Sequence, residues 1–204
     1  MAGAAISLAG LITLVILERG RVVPMTAVSI YGVSLILLYT LSAVYHSLKV
    51  SPAMEKSLQR LDHIAIFLLI AGTYTPICLI TLHGGAGWRL LTAVWSLAAI
   101  GIAVILFWRT HPHWLRVTVY VLMGWLAATA LPAMLASLGV AGIGWLIAGG
   151  LAYTGGIYFY AMENRRLRWF PLLNGHEIWH LFVLAGSSCH FILIFCFVAR
   201  QALL

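Results

Sequence analysis

Two hundred and four residues, 63% of them hydrophobic and only 8% charged, exclude an ordinary soluble domain, in which about a quarter of the residues would carry charge. The long unbroken apolar runs exclude a transmembrane β-barrel, whose strands alternate in polarity. The net charge of +7 sits in small groups at the edges of those runs and forms no basic face, so its counter-charge is anionic lipid and nucleic acid is not an expected partner.

Polar breaks at 18–21, 49–60, 83–89, 109–116, 139–144 and 163–168 divide the chain into seven apolar stretches, predicting helices near 1–17, 23–47, 62–82, 88–108, 115–137, 143–161 and 174–198. The expected fold is therefore all-α: one integral membrane domain over 1–204, a bundle of seven transmembrane helices. The first helix, MAGAAISLAGLITLVIL, has no basic n-region and reads as a retained span; it is short for a bilayer, which places the expected start inside a longer helix. Pro132 and the glycine-rich 139–144 link give the fifth and sixth helices little polar punctuation. Lys and Arg number eight in the 48–61, 109–116 and 162–173 connections against four on the other side (Arg19, Arg21, Arg89, Arg200). The positive-inside rule then puts the N-terminus in the cytoplasm and the C-terminus outside. Cys78, Cys189 and Cys196 lie in apolar runs without paired spacing and read as packing residues.

Ionisable groups at the mouths of apolar helices cost energy and mark function. His46 closes the second helix in SAVYH, Asp62 opens the third in LDHIAIF, and His176 and His180 open the seventh in HEIWH. In the topology above these ends share the cytoplasmic face. His176 and His180 stand one helical turn apart and can face the same ion, with His46 as the third ligand. Three neutral imidazoles with one open position suit a catalytic zinc, although cobalt, nickel or copper would also be accepted. Water in the open position would be acidified toward a pKa of about 7, and Asp62 could accept its proton. Ser42, four residues before His46 on the same face, reaches the water, Asp62 or a substrate carbonyl.

His63 points about 100° away from Asp62 around the helix and is left outside the site. His190 lies about 21 Å along the helix from His176 and reads as a buried polar contact or part of a pathway. His83, His111 and His113 read as solvated residues of connections. HEIWH also fits the H-E-x-x-H pattern of zinc metalloproteases, with Glu177 as general base, but no acidic third ligand follows His180.

Taken together, S-A-V-Y-H at 42–46, L-D-H-I-A-I-F-L-L-I-A-G-T-Y-T-P at 61–76 and H-E-I-W-H-L-F-V-L-A-G-S-S-C-H-F at 176–191 closely resemble the bacterial hemolysin III family of the progestin and adipoQ receptor superfamily. The resemblance covers nearly the whole chain. It implies seven helices with the N-terminus inside and a zinc near the cytoplasmic face held by His46, His176 and His180, with Asp62 and Ser42 in the positions of the family's Asp and Ser. It also implies a place in the bacterial cytoplasmic membrane and work in membrane lipid homeostasis. The short acidic amphipathic stretch usual before the first helix is missing from this sequence. The family name implies cytolysis through a pore, but the charged residues are too few to line a wide aqueous lumen.

Two main readings stay open. One is a zinc-dependent amidase or lipid hydrolase whose acyl chain lies in the bundle, lined from the helix-four to helix-seven region by residues such as Trp95, Trp125 and Tyr153. The other is a non-enzymatic sensor of membrane state in which zinc clips helices two and seven. A retinal protein is excluded, because the lysines, Lys49 and Lys56, lie in one connection and none is in the seventh helix.

Overall fold

The computed structural model describes residues 2–82, 84–108, 110, 112–162 and 174–203. His83, His111, Arg109 and most of the 162–173 connection, with its three arginines, lie outside the described residues. Among the described residues the architecture is all-helical: α1 (Ala2–Leu17), α2 (Val22–Ser47), α3 (Pro52–Pro76), α4 (Gly84–Phe107), α5 (His113–Trp125), α6 (Leu131–Ala161) and α7 (Gly175–Leu193). Five helical runs are long and apolar enough to cross a membrane: Val22–Ser47, Pro52–Thr81, Gly84–Phe107, His113–Ala161 and Gly175–Gln201; α1 is a shorter apolar helix.

In its central apolar stretch α3 is 72% buried, against 22–39% for the other four runs, so the bundle is built around it. It packs between α2 and α4, while α1 flanks α2 and α6 pairs with α7. Its hydroxyls return to their own backbone, Thr73 to Leu69 O at 2.7 Å and Thr75 to Ala71 O at 2.9 Å, so burial in an apolar bundle leaves neither unsatisfied. Pro76 has no N–H to offer the carbonyl one turn back. The helix then widens into a π segment over Ile77–Thr81, with Leu82 N–H donating to Ile77 O at 3.0 Å.

The predicted start of the third helix is corrected. α3 begins at Pro52, ten residues before Asp62, with Ser51 as its N-cap residue and proline in the first turn. The polar residues 52–61 end the apolar run but include good helix formers, so the helix extends about 15 Å beyond Asp62, its surface largely exposed.

The run from His113 to Ala161 would be about 74 Å long as one straight helix, far more than a bilayer core. It is broken twice. A 3-10 turn spans Leu126–Ala130, and at Gly139 the backbone leaves helical geometry altogether (φ 65°, ψ 178°), a conformation that glycine adopts without a Cβ penalty. Gly139 lies within the glycine-rich link expected from the sequence. The buried Tyr74 phenol secures the first break: its oxygen lies 2.8 Å from both Met123 O and Gly124 O and accepts from Ala127 N–H at 2.8 Å. One side chain of α3 thus satisfies backbone groups where the ordinary helical ladder changes pitch.

Candidate metal centre

His46 lies in the last turn of α2, and His176 and His180 lie in the first two turns of α7. Asn174 fixes the start of α7 through a capping box. Its side chain accepts from Glu177 N–H at 2.9 Å, and the Glu177 carboxylate accepts from Asn174 N–H at 2.8 Å. Gly175 lets that turn sit against the end of α6, since a Cβ there would come within 2.5 Å of Met162 O and 2.6 Å of Phe159 O.

The three imidazoles converge. His176 Nε2 lies 3.2 Å from His46 Nε2 and 2.9 Å from His180 Nε2, and the three candidate ligand atoms all fall within 4.8 Å of one another. Zinc–nitrogen bonds of about 2.0–2.1 Å at tetrahedral angles would separate such nitrogens by about 3.3 Å. Three ring nitrogens of this spacing on two helices form a donor set that can hold a metal ion.

Ser42, His46, Asp62, His176 and His180 line one cavity of about 290 Å³. Ser42 and Asp62 stand close together on its wall, with the charge of Arg116 nearby. Tyr120 donates to His63 O at 2.8 Å and so pins α5 to α3 beside Asp62. The sequence read Arg116 only as a flanking charge and gave Tyr120 no role. Nothing in the apolar pattern marks which face of α5 turns toward α3.

His190 bonds Leu146 O through Nε2 at 3.3 Å, ten residues past His180, as a polar contact within the bundle. His113 is corrected: it opens α5 instead of lying in a connection, and although exposed it bonds Tyr160 Oη at 2.9 Å. The expected walls are corrected as well. Trp125 and Tyr153 line the cavity, whereas α4 contributes nothing to it and Trp95 turns to Thr75, bonding Oγ1 at 3.2 Å beside a separate outer groove. Their place is taken by residues of α2, α3, α5, α6 and α7. α4 packs on α3 closely enough that a Cβ on Gly101 would meet the buried Phe67 ring at 2.2 Å.

Residues 1–191 match the family of haemolysin-III-related proteins. The chain belongs to the haemolysin III family. Hemolysin-3 of Bacillus cereus is 40% identical over 202 residues, covering 98% of this chain and 89% of that protein. The Hemolysin-3 homolog of Bacillus subtilis (strain 168) is 38% identical over 198 residues, covering 95% and 89%. The human monocyte to macrophage differentiation factor is 25% identical over 176 residues, covering 84% of this chain and 70% of its own length, and extends the likeness to the progestin and adipoQ receptor superfamily.

The capping box gives Glu177 a task unlike that of a metalloprotease base. Its carboxylate is engaged by the backbone of Asn174, and it does not line the cavity. Glu177→Gln, which preserves the box, is expected to leave metal content and any turnover within about twofold of wild type. Glu177→Ala should destabilise the start of α7 by about 1 kcal/mol, measured by thermal unfolding in detergent. A hundredfold loss of turnover in Glu177→Gln at unchanged stability would restore the protease-type reading.

Proposed function

We propose that this haemolysin III family member is a zinc-dependent hydrolase of the bacterial cytoplasmic membrane, cleaving an amide or ester bond of a lipid in the service of membrane lipid homeostasis. The observation that carries the reading is the opening of a metal-sized histidine cluster, with the Ser42–Asp62 pair, onto a cavity whose other walls are largely apolar. The chain crosses the bilayer seven times, the His113–Ala161 run supplying two crossings through its break at Gly139, with the N-terminus and the histidine cluster on the cytoplasmic side.

His46, His176 and His180 hold the ion. Bound there, zinc supplies Lewis acidity that polarises a carbonyl and makes water nucleophilic at neutral pH. Asp62 accepts a proton from the attacking water as the new C–O bond forms, and returns it to the leaving nitrogen or oxygen as the old bond breaks. Ser42 orients Asp62 through its hydroxyl. The cavity holds the acyl chain and keeps bulk water from it. Such walls suit a hydrocarbon chain better than an aqueous lumen, which favours a hydrolase over a pore.

The test is fatty-acid release from ceramide and from phospholipid by the full chain purified in detergent, with metal measured on the same sample. About one zinc per chain and release that a chelator abolishes and zinc restores are expected. Stoichiometric zinc without release from either lipid class would overturn the hydrolase reading in favour of the non-enzymatic sensor.

A further inference from the structure

Two turns deeper than the histidines lies a second polar cluster that metal binding does not use. Tyr39 precedes His46 by seven residues and Ser187 follows His180 by seven. Seven residues are close to two helical turns, so each lies on the face of its histidine and about 10 Å further into the bundle. The Tyr39 phenol bonds the Ser187 hydroxyl across the gap between α2 and α7. Tyr153 of α6 lines the cavity beside this pair, and the Ser187 hydroxyl itself donates to Val183 O at 2.7 Å.

The hydrogen count at this cluster fixes what it can recognise. Ser187 gives its one hydrogen to the Val183 carbonyl, so in its bond with Tyr39 it accepts the phenol hydrogen. Tyr39, which lines the cavity, then offers it only oxygen lone pairs. His190, also on the wall, directs Nε2 at Leu146 O as a donor, and its other ring nitrogen is then an acceptor. The close seating of these rings depends on glycine: a Cβ on Gly186 would meet the Tyr153 ring at 2.8 Å, and one on Gly149 would meet the His190 ring at 2.3 Å. Tyr31, about two turns before Tyr39 on α2, is fully buried, and among the described residues its hydroxyl has no hydrogen-bond partner.

A saturated chain against this wall would leave the Tyr39 and His190 acceptors desolvated and unpaired. A hydroxyl brings the missing hydrogen. We propose that the deep end of the cavity is a hydroxyl-recognition subsite, selecting lipid chains that carry a hydroxyl midway along their length. The proposal rests on the reading that the cavity holds an acyl chain whose carbonyl lies at the histidines. Tyr39 and Ser187 lie about 10 Å, and His190 about 15 Å, deeper than the histidines. An extended chain advances about 1.25 Å per carbon, from bonds of about 1.5 Å at tetrahedral angles. The hydroxyl therefore belongs roughly eight to twelve carbons from the carbonyl.

The experiment is displacement of an environment-sensitive fluorescent fatty acid from the purified full chain by stearate, 2-hydroxystearate and 10-hydroxystearate. The 10-hydroxy acid should displace the probe at roughly tenfold lower concentration than either of the others, the worth of one well-placed hydrogen bond. In Tyr39→Phe/Tyr153→Phe that preference should fall below about twofold while stearate still competes. If the double variant also loses stearate, Tyr39→Phe alone should lower the preference at least threefold. His46→Ala should weaken all three acids and leave their ratio unchanged. Equal displacement by stearate and 10-hydroxystearate in wild type, or a preference that survives both phenylalanine variants, would overturn the subsite and leave the hydrolase reading standing. Failure of every acid to displace the probe would overturn both.

Discussion

Replacing His176 with alanine is expected to empty the metal centre, taking zinc content from about one per chain to below about a tenth. His176 Nε2 is the central nitrogen of the three, 3.2 Å from that of His46 and 2.9 Å from that of His180. Among the described residues no other group of three His, Cys, Asp or Glu side chains gathers as this one does, so no substitute ligand set is at hand. If three histidines share a binding free energy of the order of 10–16 kcal/mol, losing one costs about 4 kcal/mol or roughly a thousandfold in affinity. Because the ion ties α2 to α7, the variant should also lose the rise in unfolding temperature that added zinc gives wild type. His190→Ala provides the control. Its ring sits about 15 Å beyond His180 along α7 and bonds Leu146 O, so this variant should keep its metal. Mass-spectrometric metal analysis of the three proteins checks both outcomes. Full occupancy in His176→Ala would remove the basis of the proposed centre.

Asp62→Asn is expected to keep the metal and lose turnover by a factor of about 10² to 10⁴, the usual contribution of a positioned proton acceptor. Asparagine has nearly the shape of aspartate and can still bond Ser42, so packing around the cavity should survive. What it lacks is a lone pair basic enough to take a proton from water. The loss should fall on kcat and on kcat/KM alike, the mark of an interaction made in the transition state. Ser42→Ala should lower kcat less, by roughly tenfold, since it removes one orienting hydrogen bond and leaves the carboxylate. Metal content and fatty-acid release from one preparation separate the effects. Turnover within a few-fold of wild type in Asp62→Asn would assign the proton to another group.

The convergence of the histidines could be read from the sequence because it depends on local geometry. His176 and His180 share a face at the fixed spacing of one turn, and a helix end places His46 at a definite depth. The break at Gly139 was marked by its glycine-rich surroundings, since few other residues accept φ 65°. The beginning of α3 was not legible. Hydropathy reports where a bilayer would end, whereas Pro52 and the helix formers after it continue the helix into polar surroundings.

The pairing of Tyr39 with Ser187 lay hidden although each is seven residues from a histidine that was singled out. A tyrosine or serine in an apolar helix is ordinary until its partner is known. Trp95 shows the opposite case: its position in an apolar helix suggests a cavity wall, but α4 turns it to Thr75, away from the cavity.

The sequence by itself determined an all-helical membrane chain, its family, and a histidine cluster at one set of helix ends, because composition, spacing and helical period are properties of neighbours along the chain. The tertiary structure alone decided which helices border the cavity, that Arg116 and Tyr120 attend Asp62, that Glu177 caps α7, and that a second polar cluster lies below the first. Helices apolar on nearly every side can pack in many rotations and neighbour orders, since lipid tails are as apolar as leucine. Close packing and the pairing of their few polar groups choose among them.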